Sequence, residues 1–340
     1  MTAESTFAEL VGRHEPPTGD IGLEIEVEGR RLPVLQYAPT GRRPDSGEPS
    51  TYWTTTRDGS LRGREAWEYI FVEPLSMEQV NVALEEMRSY FKSYDARVDN
   101  TMRAGVHVHI NVNNMTPRQI FTFATAYYLL EEILTANCGF GRQGNHHALR
   151  LKDAYNIVSY LCNALSVGSL RELNTNDIRY AALNWNSLFN HGSIEFRQKG
   201  TNECSFEDIY EWVNVLWLIK ENSIANFSTP ADLVAAFSGQ GGEQIVRTLI
   251  PDMLLAEKFV FAVEGWQASM RDCSRLVQDF AFIIPDVEAW RDTFTRRRRN
   301  RSFEEAVEEL RYRQAPLPSG MGVNPEPMEE LDSPFEDDEE

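Results

Sequence analysis

The sequence has little cysteine and no long apolar run. Its 340 residues hold 4 cysteines, and Cys138, Cys162, Cys204 and Cys273 lie far apart with no CxxC pair. That spacing argues against a disulfide scaffold and for buried free thiols. No stretch approaches the roughly 20 apolar residues that cross a bilayer, and the opening MTAESTFAELVGRHEPPTGD lacks a signal peptide's basic and apolar segments. A cytoplasmic protein with no membrane partner is expected. A Walker A sequence is also missing, so any nucleotide must be held by another architecture. GFGRQG, Gly139 to Gly144, matches GxGxxG but follows a helical stretch where a dinucleotide fingerprint follows a strand, so it reads as chance. Positive charge is scarce as well. The net charge of -19 disfavours nucleic acid and anionic membranes as partners, and the one dense basic cluster, TRRRRNR at 295–301, has no interleaved aromatics and reads as a solvated face.

What is present is ordinary globular material, with 42% hydrophobic and 11% aromatic residues, enough for a large core. Residues 20–37 alternate apolar with charged side chains and predict a strand, a turn and a second strand. Arg42 to Ser50 reads as a loop. TYWTTTRDGSLRGREAWEYIFVEPLS predicts two strands around Asp58-Gly59-Ser60, paired antiparallel. Val80, Leu84, Met87 and Phe91 fall at helical spacing behind Ser76 as N-cap, and Thr116-Pro117 opens a second, largely buried helix. ALNWNSLFNHGSIEFRQKGT is strand-like around a turn at Asn190 to Gly192, and FEDIYEWVNVLWLIKENS is helical. Sheet, helix, sheet, helix makes an α+β domain. From Pro230 to about Arg313 the pattern is helical and carries no catalytic signature. The expected division is a leader at 1–19, a catalytic core at 20–228, a helical region packed on the core at 229–314, and an acidic disordered tail at 315–340.

Three strands share a device. Residues i and i+2 of a strand lie on one face. In GLEIEVEG, Glu24 and Glu26 therefore oppose Leu23, Ile25 and Val27. In GVHVHINV, His107 and His109 oppose Val106, Val108 and Ile110. In GSIEFRQ, Glu195 and Arg197 oppose Ile194 and Phe196. A solvated sheet gives the same alternation, but its polar face usually carries Lys, Thr and mixed charges. Carboxylates gathered on one face repel unless cations neutralise them, and oxygen-rich clusters with one or two imidazoles suit Mg²⁺ or Mn²⁺. HxH by itself leaves His107 and His109 open between core histidines and a site. His146 and His147, adjacent in a glycine-flanked loop, read as a loop feature.

In order, GLEIEVEG, RDGSLRGREAWEYIFVEPLS, AGVHVHINVNNMT and YAALNWNSLFNHGSIEFRQKGTNE resemble the amidoligase family, carboxylate-amine ligases related to glutamine synthetase and glutamate-cysteine ligase. The resemblance runs from about Gly22 to Asn222. It implies a glutamine-synthetase-like fold, with a curved, mainly antiparallel sheet backed by helices, and a reaction in which ATP phosphorylates a carboxylate and an amine displaces the phosphate. It also implies roles. Glu24 and Glu26 match the paired N-terminal metal ligands, Glu68 the next acidic position, with Glu73 a weaker candidate, and Glu195 a further ligand for Mg²⁺ or Mn²⁺. His107 and His109 match the histidine strand, one binding metal or phosphate and the other positioning it. Arg197 matches the guanidinium on phosphate, while Arg142 and Arg179 stand where substrate or ATP would be met. The sequence departs from the family pattern at Phe71, Val72 and Glu73, where relatives commonly show a serine and a second proline. Carboxylate and amine substrates, small or on a peptide or protein, are the implied partners, and the helical end and acidic tail leave room for a protein partner or homo-oligomer. Two other classes stay open at this level: the fold kept as a binding or structural module, and a metal-dependent hydrolase.

Overall fold

The computed structural model describes residues 4–13, 18–38, 46–139, 141–153, 180–201, 204–260 and 265–284. Contacts divide the chain into a compact unit Met1–Arg297 and a second, Arg298–Glu340, and every described residue belongs to the first. Arg179, the run at 295–301, the expected helix FEEAVEELRYR and the acidic tail lie outside the described residues.

The expected α+β pattern is present, with a mainly antiparallel sheet backed by helices. Its strands are β1 (Ile21–Arg30), β4 (Trp53–Thr56), β5 (Glu65–Phe71), β6 (Arg97–Val98), β7 (Gly105–Asn111), β8 (Leu183–Asn184) and β9 (Ser193–Gly200), ordered β4-β5-β1-β7-β9-β8, with β6 also pairing β1. All these pairs are antiparallel. Trp53 opposite Phe71 fixes the expected hairpin around Asp58. A separate parallel pair joins β2 (Leu35–Tyr37) to β3 (Glu48–Ser50), so the end of the expected 42–50 loop is a strand; its pairing with β2 is a tertiary contact that Pro49 and Gly47 conceal in the sequence.

Helix α1 (Phe7–Leu10) sits in the expected leader, yet it is tied down. Its Phe7 and Ala8 amides donate to the Met115 and Asn113 carbonyls at 2.8 and 2.9 Å, and Phe7 is buried. Helices α2 (Met77–Ser93) and α3 (Pro117–Thr135) begin at Ser76 and Thr116, each in a reciprocal capping box with the glutamine three residues on. Beyond a short α4 (Asn186–His191) come α5 (Phe206–Asn226), α6 (Pro230–Phe237), α7 (Gly242–Leu249), α8 (Met253–Phe259) and α9 (Trp266–Ile283).

The apolar faces of β1, β7 and β9 form the core. Leu23, Ile25, Val27, Val106, Val108, Ile110, Ile194 and Phe196 are all buried. Phe123 and Tyr127 of α3 lie over Phe196, with ring centroids 5.5 and 4.8 Å away, and Phe121 meets Phe280 of α9 at 4.5 Å. With that face occupied by helices, the opposite face is left for the polar residues.

Candidate active site

The register sets the polar face in rows across the sheet. Glu24 lies opposite His107 and Glu26 opposite Glu68. His109 lies opposite Glu195, and Glu195 opposite Asn184. Thr56 completes a row beside Glu68, and its hydroxyl donates to Glu68 Oε2 at 3.0 Å.

Glu24 is the hub. Its Oε2 lies 3.2 Å from His107 Nδ1 and its Oε1 3.2 Å from His109 Nε2. Burial, the largest single effect, opposes its charge, but these two hydrogen bonds and the charges of both imidazoles together hold the carboxyl well below the usual carboxylate range. The same contact raises the His109 imidazole, against the opposing effect of burial. Glu26 accepts the Gly105 amide at 2.8 Å, and its Oε2 is 3.8 Å from His107 Nε2. Glu195 accepts from Asn184 at 2.7 Å, from Ser187 at 3.2 Å and from Arg197 at 2.5 Å. Burial works against its ionisation too, yet the Arg197 guanidinium and the two imidazoles keep it low. Glu68 behaves oppositely. Burial and then the charge of Glu24 push it up to about 8, with Glu26 and Asp58 adding to the rise. One carboxyl of the row is thus pushed toward its protonated form, first by burial and then by the charge of Glu24.

Three groups bring ligand atoms within 4.8 Å of one another: Glu24, Glu68 and His107; Glu24, His109 and Glu195; and Glu26, Asp58 and Glu68. Each is oxygen-rich with at most one imidazole. The two histidines fall in different groups among the described residues, whereas a catalytic zinc usually gathers two or three on one ion. Glu73 is exposed beyond β5 and belongs to none of them.

A cavity opens beside this row. Glu26, Asp58 and His107 line it together with the cations of Arg103, Arg142 and Arg197. Arg142 is only 2% exposed. Its Nε and Nη2 donate to the Gln198 and Arg197 carbonyls at 2.7 and 2.5 Å, leaving Nη1 with no partner among the described residues. Buried Arg197 Nε and His147 Nε2 have none either. These three orphan nitrogens all belong to residues of one cavity lining.

Asp58, Ser60, Arg103, His147 and Tyr180 line this cavity but carry no signal of a site in the sequence. Asp58 reads there only as a turn residue. His147 reads as a loop residue because an extended backbone sends adjacent side chains apart; here the loop turns, and the His146 and His147 rings lie 4.0 Å apart. Ser187, which reaches both Glu195 and His109, stands on α4, where a strand is expected. Gly192 ends that helix in the left-handed region at φ +73°, so the stretch before β9 is a helical turn.

Residues 70–213 match the family model described as "Putative amidoligase enzyme". The resemblance to the amidoligases is borne out over that segment. It spans less than half of the chain and contains His107, His109, Arg142, Glu195 and Arg197 with their strands and loop, while Glu24, Glu26 and Glu68 precede it. The matched segment therefore holds the histidine strand and the glutamate-arginine strand, and β1 adds the hub carboxylates from outside it. No curated protein matches the chain.

Proposed function

We propose that the protein is an ATP-dependent carboxylate-amine ligase that forms an amide through an acyl phosphate, on a glutamine-synthetase-like sheet. The observation that carries this reading is one cavity lined both by Glu26, Asp58 and His107 of the metal-ligating groups and by Arg142 and Arg197, each with a buried guanidinium nitrogen that has no partner among the described residues. Such a pairing suits a polyanion brought in with divalent cations.

The donor sets fit Mg²⁺ or Mn²⁺, being oxygen-rich with a single nitrogen at most. Glu24, Glu26, Glu68, His107 and Glu195 would hold the ions, joined by Asp58, and bound metal would offset phosphate charge during transfer. The chain's own groups perform the rest. Arg142 Nη1 and Arg197 Nε receive phosphoryl oxygens, because a buried guanidinium N–H without a partner gains most from an anionic acceptor. Glu195 holds the Arg197 head in place from the opposite side, and Asn184 and Ser187 fix Glu195. His109, anchored between Glu24, Ser187 and Ser193, orients the hub carboxylate. The carboxylate substrate takes the γ-phosphoryl group, ADP departs, and the amine then forms the C–N bond as phosphate leaves.

The test is a thermal melt of wild type and Glu24→Ala with and without Mg²⁺-ATP. At ligand ten times Kd, binding adds roughly 1.4 kcal/mol, a shift of about 2 °C for a chain of this size. The expected result is a metal-dependent shift lost in the variant. No shift with Mg²⁺-ATP would overturn the reading: if Zn²⁺ or Mn²⁺ alone still gave a shift the result would favour a hydrolase, and if no metal gave one it would favour a retained scaffold.

A further inference from the structure

An amine must shed protons to become an amide nitrogen, and the ligase reading above, on which this inference rests, leaves that proton without a receiver. The cavity lining narrows the choice. Glu26, Asp58 and His107 belong to the metal-ligating groups, and protonating one would remove a ligand. Arg103, Arg142 and Arg197 are cations and accept no proton. Ser60 and Tyr180 offer hydroxyls, which are weak bases until ionised. His147 remains.

Its surroundings suit the task. Nε2 is buried and has no partner among the described residues. The residue is held from three directions: its amide donates to Asn145 Oδ1 at 2.8 Å, its ring lies 4.0 Å from that of His146, and the Tyr180 ring meets it edge-on at 5.5 Å. Asn145 is tied in turn to the Met102 carbonyl at 2.9 Å, which anchors the loop to the approach of the histidine strand. Burial lowers the imidazole's proton affinity, and the charges of His146, Arg103, Arg197 and Arg142 lower it further. The neutral, proton-accepting form therefore prevails at neutral pH.

We propose that His147 is the general base of the amide-forming step and that the cavity it lines receives the amine. The nitrogen lone pair forms the C–N bond to the acyl carbon, the acyl C–O bond breaks with its electron pair going to the departing phosphate, and the nitrogen's proton passes to His147 Nε2 and then to solvent. A base so placed contributes about 10²-fold or more.

The nucleophile itself provides the test. Methylamine is protonated at neutral pH, so it sheds one proton before attack and a second as the C–N bond forms; hydroxylamine is a much weaker base, present largely as the free amine, and its more acidic nitrogen gives up the one remaining proton to water more readily. Full-length wild type, His147→Gln and His147→Asn would be incubated with Mg²⁺, ATP and a pool of amino acids and dicarboxylates, with either nucleophile, and the amide or hydroxamate read by mass. Both variants are expected to lose about 10²-fold or more with methylamine and at least about tenfold less than that with hydroxylamine, and to lose the acid limb of the wild-type methylamine pH profile. Equal loss with both nucleophiles, or no loss, overturns the base assignment and leaves the ligase reading standing. No product from wild type with either nucleophile overturns the ligase reading and this inference with it. A separate readout uses the metal-free protein: the His147 ring resonances, assigned by their disappearance in the variants, should titrate below an ordinary histidine, and titration at or above one overturns the assignment.

Discussion

Glu131 shows what a single buried carboxyl does when nothing neutralises it. It lies on α3 away from the metal-ligating groups, with Oε2 accepting the Leu151 amide at 2.7 Å and Oε1 unpartnered. Burial pushes it up to about 8 from an ordinary 4.5. The folded state thus holds a proton that the unfolded chain releases near 4.5, so stability is full below that value and falls as pH rises toward about 8, by about 1.4 kcal/mol per pH unit. Glu131→Gln removes this residue's share of the slope and leaves that of Glu68. Urea denaturation across pH 4 to 9 is expected to show variant and wild type alike at the acid end, with the variant more stable by a few kcal/mol near pH 8; parallel curves would count against a protonated Glu131. The sequence gives no hint of this residue, because a glutamate on an amphipathic helix is usually solvated. It was the i, i+2 pairs that were legible residue by residue: Glu24 with Glu26, His107 with His109, and Glu195 with Arg197 each needed only strand alternation to be placed on a common face.

At the scale of elements, caps and periodicity located α2 and α3 because their signals are local: Ser76 and Thr116 each stand three residues before a glutamine that returns the bond. The stretch before β9 misled because LNWNSLF is apolar at a spacing that serves a strand or one helical turn equally. Gly192 decides the matter. A Cβ there would fall 2.1 Å from Arg13 Nη1 and 2.2 Å from Asn113 Oδ1, and its φ of +73° disfavours any L side chain. Gly192→Ala is therefore expected to cost more than about 1 kcal/mol in chemical denaturation. Because α4 carries Ser187, the substitution should also loosen the hydrogen bonds that hold Glu195 and His109.

For the whole molecule, the described helices beyond α5 join the same compact unit as the sheet, ending at Arg297. A chain ended at that residue is expected to melt in one cooperative transition when followed by circular dichroism and by tryptophan fluorescence together; two separate transitions would mean that the sheet and its later helices fold independently. What the sequence determined by itself was everything set by neighbours in the chain: the α+β pattern, the caps, and which side chains of a strand share a face. Only the tertiary structure decided which strands adjoin, and hence that Glu24 bridges both histidines, that Asp58 reaches Glu26 and Glu68, and that His147 lines the same cavity as Arg142 and Arg197. The physical reason is distance along the chain. Alternation and capping act over two to four residues, whereas the site's hydrogen bonds and charge pairs join residues some eighty positions apart through register, and register follows from how the apolar faces pack against the helices.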